Sequence, residues 1–135
     1  MSGRADLHLH TTASDGAWTP AELVDRAASV GLCAIAVTDH DTVDGIAAAL
    51  ERGRERGLEV IPGVELSLWH EGQEVHILGY FIDHKHDGLA DTLAACREER
   101  VRRVKKIVER LSELGYSITV PEVMALAKDG SAGRP

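Results

Sequence analysis

Imidazoles and carboxylates recur in three short clusters: Asp6-Leu7-His8-Leu9-His10, Ser14-Asp15-Gly16 and Thr38-Asp39-His40-Asp41-Thr42. Further on come a lone carboxylate, Glu65 in Pro62-Gly63-Val64-Glu65, and a histidine, His76 in Val75-His76-Ile77-Leu78-Gly79-Tyr80. These side chains ligate divalent cations, and they recur after successive apolar runs, a pattern that packing alone does not produce. The shared chemistry is a polynuclear metal centre, and it points to hydrolysis of a phosphate ester. Side chains alternate along a strand, so Asp6, His8 and His10 share a face, with neighbours roughly 6–7 Å apart. Two imidazoles so placed can close on a single ion, while Leu7 and Leu9 face the other way. Taken alone, any one of these histidines reads as a hydrogen-bonded core or surface residue. The set carries the metal reading.

The elements that must position these residues read as strand, loop and helix, repeated. Asp6 to His10 is a short strand. Thr19-Pro20-Ala21-Glu22 is a helix start, with Thr19 as N-cap, Pro20 at the first helical position and Glu22 completing a capping box. Leu23, Val24, Ala27 and Ala28 supply its apolar face, and Gly31 stops it. The nearly continuous apolar run Cys33 to Thr38 predicts a strand buried on both faces of a parallel sheet, with Asp39 and His40 at its C-terminal end. A second helix is expected over 43–56, closing at Gly57, and the strand Leu58 to Pro62 then leads to Glu65. Leu66 to His70 and Glu74 to Ile82, joined across Glu71-Gly72-Gln73, predict an antiparallel excursion carrying His76. Two βα units with reactive residues at the strands' C-terminal ends imply a parallel, barrel-like α/β architecture.

From about Leu89 to Leu114 the spacing of Leu93, Val101, Val104, Val108 and Leu111 predicts one long helix ended by Gly115. Arg97, Arg100, Arg102, Arg103, Lys105 and Lys106 make it basic. It reads as a solvated face partly paired with Glu98, Glu99 and Glu109, or as a basic lid that draws in phosphorylated substrates. A short helix over 121–128 precedes a polar end.

A length of 135 residues suits one domain with a real core, and 44% hydrophobic residues is ordinary for a globular protein. The net charge of −7 argues against broad nucleic-acid binding, and bound cations would offset part of it. Cys33 and Cys96 lack metal-knuckle spacing and read as free, buried, structural thiols. No signal-peptide pattern opens the chain and no apolar run approaches a membrane span, so a cytoplasmic enzyme is expected.

The chain resembles the polymerase and histidinol phosphatase (PHP) family of metal-dependent phosphoesterases. The resemblance rests on Asp6-Leu7-His8-Leu9-His10-Thr11, Ser14-Asp15-Gly16, Thr38-Asp39-His40-Asp41-Thr42, Gly63-Val64-Glu65 and His76-Ile77-Leu78-Gly79-Tyr80-Phe81-Ile82-Asp83, in the family's order. It is closest to the small stand-alone subgroup acting on nucleotides, whose members hydrolyse nucleoside monophosphates or 3′,5′-bisphosphates or trim short RNA ends. The polymerase-embedded branch usually has Gly-Asn where this chain has Asp41-Thr42.

The resemblance implies an α/β fold, part of a distorted seven-stranded (β/α) barrel with a mainly helical insertion. Residues 1–86 would be barrel and 87–135 the insertion. It implies two or three divalent ions (Mn, Fe or Zn). His8, His10 and Glu65 would ligate the first, Asp15 and His40 the second, and a bridging Glu65 with His76 the third. Asp6 and Asp39 would orient imidazoles from behind. Asp41 reads as a helix-turn cap and Ser14 as a turn residue. Two such ions about 3.5–4 Å apart would generate hydroxide from a shared water. Arg134 would belong to the phosphate-binding set.

The family's further histidine and late Asp-x-His ligands have no counterpart here. The chain therefore reads as the N-terminal half of a larger enzyme, and the isolated 135 residues could be inactive. The expected partner is a small phosphorylated substrate, with no stable nucleic-acid complex, no membrane, and self-association through an open barrel edge. The alternatives are a phosphatase for another small ester such as histidinol phosphate, or a truncated, non-catalytic metal-binding module.

Overall fold

A computed structural model describes residues 3–126. In chain order the elements are β1 (Arg4–Leu9), α1 (Pro20–Ser29), β2 (Leu32–Val37), α2 (Ile46–Arg56), β3 (Glu59–His70), β4 (Gln73–Tyr80), α3 (Asp87–Glu113) and α4 (Val120–Leu126). The strands form one sheet in the order β1-β2-β3-β4. β1, β2 and β3 run parallel and β4 runs antiparallel to β3. In a flat sheet the outer strands would lie three spacings of about 4.8 Å apart. Here the Tyr80 hydroxyl, at the end of β4, donates to the Leu7 carbonyl of β1 at 2.9 Å. The sheet is curled into a half-barrel.

Local signals explain most element limits. The Thr19 side chain accepts from the Glu22 N–H, and the Glu22 side chain accepts from Thr19 in return, so α1 opens on a complete capping box. Leu23, Val24 and Ala27 of α1 join Ile35 and Val37 of β2, Ile46 and Ala49 of α2, and Leu58 in one buried cluster. This cluster lies between the two helices and the sheet.

The structure corrects four of the sequence expectations. First, β3 does not end near Pro62. It runs unbroken to His70, pairing with β2 as far as Pro62 and with β4 from Gly63 onward. Proline has no N–H to give a ladder and sits where the partner changes. Gly63 lies there because a Cβ would come within 2.8 Å of the Gly79 carbonyl oxygen and 2.9 Å of Thr38 Cγ2. Second, α2 starts at Ile46 rather than near Val43, with Gly45 as N-cap. Third, Cys33 is exposed, because burial along β2 builds up only from Ala34, and its thiol donates to the Arg4 carbonyl at 3.3 Å. The fourth, Asp41, belongs to the site.

The hairpin turns through Glu71 and Gly72, both at positive φ (48° and 78°), the two-residue turn that suits strand twist. Among the described residues no helix is long and apolar enough to cross a membrane.

Candidate metal centre

His8 and His10 at the end of β1, Asp15 in the loop after it, His40 just past β2, Glu65 within β3 and His76 within β4 come together around one carboxylate. Glu65 is 3% exposed. Its Oε2 lies 2.7 Å from His8 Nε2, 3.1 Å from His10 Nε2 and 3.8 Å from His40 Nδ1. Its Oε1 lies 2.6 Å from His76 Nδ1. Asp15 joins on the other side, 3.2 Å from His10 Nδ1 and 3.7 Å from His40 Nε2. Three groups (His8-His10-Glu65, His10-Asp15-His40 and His40-Glu65-His76) each present ligand atoms within 4.8 Å of one another.

Backbone pairing produces this arrangement. Past the end of β2 the chain continues alongside β3: the Glu65 N–H donates to the Asp39 carbonyl (3.1 Å) and the Asp41 N–H to the Glu65 carbonyl (3.0 Å). His40 and Glu65 thereby form a parallel bridge. In the β3–β4 ladder Ser67 faces His76, and Glu65 lies two residues earlier on the same strand face. The 11–16 loop carries Asp15. The Ser14 and Gly16 N–H groups both donate to the Thr11 carbonyl. Gly16 is needed because a Cβ would approach the His10 carbonyl oxygen to 2.2 Å.

Asp39 pins this loop. Its Oδ1 accepts from the Thr11 N–H (2.7 Å) and the Ser14 hydroxyl (2.6 Å), and its Oδ2 accepts from the Thr11 hydroxyl (2.7 Å). The Ser14 Oγ is 3.5 Å from His10 Nδ1, so Asp39 reaches the His10 imidazole through Ser14. Ser14 is therefore buried within this network as well as lying in the turn. Asp6 accepts from the His8 backbone N–H at 3.2 Å. Arg134 lies outside the described residues.

Asp41 is not a helix cap. It is fully buried, sits at φ 52°, accepts from the Ser67 N–H (2.9 Å) and pairs with Arg100 Nη2 (2.8 Å). Arg100 also donates to the Ser67 hydroxyl, which lies 3.5 Å from His40 Nδ1. Arg97 donates to the Asp41 carbonyl at 2.6 Å. Arg103 pairs with Glu74, whose Oε1 is 3.4 Å from His76 Nε2. Three arginines read from the sequence as a solvated or lid-like face thus tie α3 to the Asp41 segment, β3 and β4, although only Arg100 is itself buried. The sequence signal was a charge in the buried stripe, since Arg100 falls between Leu93 and Val104.

Burial pushes the His40 imidazole below its usual value, favouring the neutral form that binds metal. Burial alone would raise the Glu65 carboxyl, but hydrogen bonds with His8 and His76 hold it below the usual carboxylate range. An ionised carboxylate ringed by imidazoles, with a second carboxylate nearby, is a donor set that fits divalent ions.

A family model described as PHP domain matches residues 6–128. The 5'-3' exoribonuclease Rnm of Salmonella typhimurium is 43% identical over 131 residues, covering 96% of this chain and 45% of that protein. The 3',5'-nucleoside bisphosphate phosphatase of Chromobacterium violaceum is 40% identical over 112 residues, covering 83% of this chain and 39% of that protein. The structure of an amidohydrolase from Chromobacterium violaceum, with bound sulfate and no metal, superposes with a TM-score of 0.83 at 35% identity, over 96% of this chain and 46% of that one. The chain spans about half the length of the curated relatives it matches.

Proposed function

Because the chain belongs to the PHP domain family, we propose that it carries the metal centre of a phosphoesterase acting on nucleotides. The observation that carries this reading is one buried carboxylate, Glu65, shared by four imidazoles with Asp15 beside them. His8, His10 and Glu65 would hold one divalent ion, Asp15 and His40 a second, and Glu65 with His76 a third. Bound ions would supply Lewis-acid activation of water and charge stabilisation at phosphorus. The protein's own part is placement: strand pairing sets Glu65 against His40, Asp39 holds the loop of Asp15, and the neutral imidazole of His40 offers its lone pair. Arg134 is assigned to the phosphate.

In this reading the four strands are part of a seven-stranded barrel. Both sheet edges, β1 and β4, lack a neighbour among the described residues. Residues 87–135 are its helical insertion. Nucleoside monophosphates and 3′,5′-bisphosphates are the proposed substrates, the second being the class named for the Chromobacterium violaceum phosphatase. The test is phosphate release from both substrate types with added Mn²⁺, Zn²⁺ or neither, in the full-length protein and its His8→Ala and Glu65→Ala variants. Metal-dependent release should fall by more than about 100-fold in either variant, beyond the loss usual for a group behind the ligands. Wild-type turnover in either would sink the ligand assignment.

A further inference from the structure

Between the β3–β4 hairpin and α3 lies a cleft of about 460 Å³, lined by Ser67, Trp69, Glu74, Cys96, Arg103 and Lys106 among others. Its size falls in the range of small-ligand sites, roughly 300–1,000 Å³, rather than that of a protein-docking face. Two of its lining residues touch the candidate ligands: the Ser67 hydroxyl lies 3.5 Å from His40 Nδ1, and Glu74 Oε1 lies 3.4 Å from His76 Nε2. Glu65, Ser67 and Trp69 alternate onto one face of β3, and Glu74 and His76 onto the same face of β4, with Ser67 opposite His76 and Trp69 opposite Glu74. Trp69 thus stands four residues beyond the central carboxylate, roughly 13 Å along the strand.

The chemistry of the lining is selective. Trp69 is 61% exposed although it borders a concave, mainly apolar space. Arg100 and Arg103 are occupied by Asp41 and Glu74. That leaves Lys106 as the cation at the rim with no carboxylate partner among the described residues. A planar group that is apolar on its faces and polar on its edge fits these walls. Aromatic side chains hold nucleobases in this way without reading their sequence.

We propose that this cleft is a nucleobase site, with Trp69 as the stacking platform for a substrate whose phosphate sits at the metal centre. The proposal rests on the phosphoesterase reading for the position of that phosphate. It extends that reading by naming where the rest of the substrate lies and why a nucleotide would be preferred over a smaller ester.

The experiment uses Trp69 as its own reporter, in a Trp18→Phe background. Trp18 lies apart, beside Glu22, Asp25 and Arg26 of α1. Adenosine 3′,5′-bisphosphate should quench Trp69 fluorescence saturably, and ribose 5-phosphate should not. Read by calorimetry, Trp69→Ala should weaken binding of the bisphosphate by about tenfold or more and leave ribose 5-phosphate binding unchanged. Trp69→Phe should fall between the two and guards against a folding defect. Absence of a saturable quench, or equal weakening for both ligands, would overturn the proposal. Mn²⁺ binding on the same samples separates the two readings. Lost quenching with intact Mn²⁺ binding removes only the base site. Absent Mn²⁺ binding removes the metal centre, and the base site still stands or falls on the quench.

Discussion

Residues 4–82 bury Leu23, Val24, Ile35, Val37, Ile46 and Ala49 in one apolar cluster against the sheet. Helix α3 buries Leu93, Val104 and Val108, and among them a charge, Arg100, which is 7% exposed and faces the fully buried Asp41. The first region places its ligands by area removed from water. The second holds its place against the ligand loops with arginines. Apolar packing loses stability in proportion to the atoms removed. A buried ion pair behaves differently, because losing one partner strands the other without compensation.

The largest effect expected from this contrast is at Arg100→Ala. It should cost about 3–5 kcal/mol, the usual result of leaving one buried charge alone. Hydrogen exchange should show the loss in α3 and in the 39–41 segment while α1 stays protected. Replacing both partners together, as Asp41→Leu with Arg100→Met, should recover much of it. Ile35→Ala should cost a comparable 2–5 kcal/mol, but in denaturant melts it should weaken α1, α2 and the sheet together. If both variants lost protection in the same places, the two regions would not differ as argued. A smaller effect is expected at Asp39→Ala, which removes the acceptor of three hydrogen bonds in the 11–16 loop. Mn²⁺ affinity should fall by about 10–100-fold, read by calorimetry, with Asp39→Asn retaining more. The smallest is at Arg102→Ala, whose pairs with Glu98 and Glu99 are solvent-exposed. That substitution should lower the unfolding free energy from denaturant melts by no more than about 0.5 kcal/mol.

The same contrast explains what could be read from the sequence. The Thr19-Pro20-Glu22 start of α1, the apolar run of β2 and the Glu71-Gly72 turn are local signals, and the elements follow them. The six ligand candidates stand out in the sequence because residue types able to bind metal recur after successive apolar runs, and the structure brings them into three overlapping groups. The continuity of β3 was not legible. Pro62-Gly63 reads as a stop, and only its two neighbours, β2 and β4, turn it into a change of partner. Asp41 and Arg100 were misread for a related reason. A charged residue is ordinarily solvated, and the partner that makes its burial tolerable lies 59 positions away in the chain. Cys33 erred in the opposite direction, since apolar neighbours in sequence do not ensure a cover in space.

The change of partner within β3 also bears on which insertions and deletions this stretch of sequence can accept. A residue added between Glu59 and Glu65 would reverse the facing of everything after it along the strand. Glu65 would then leave the imidazoles, and Ser67, Trp69 and the facing His76 would be misplaced with it. A residue added within the Glu71-Gly72 turn alters only the hairpin's end. Length variation is therefore expected at the turn and not in the six residues before Glu65, even though much of that stretch carries no chemistry of its own.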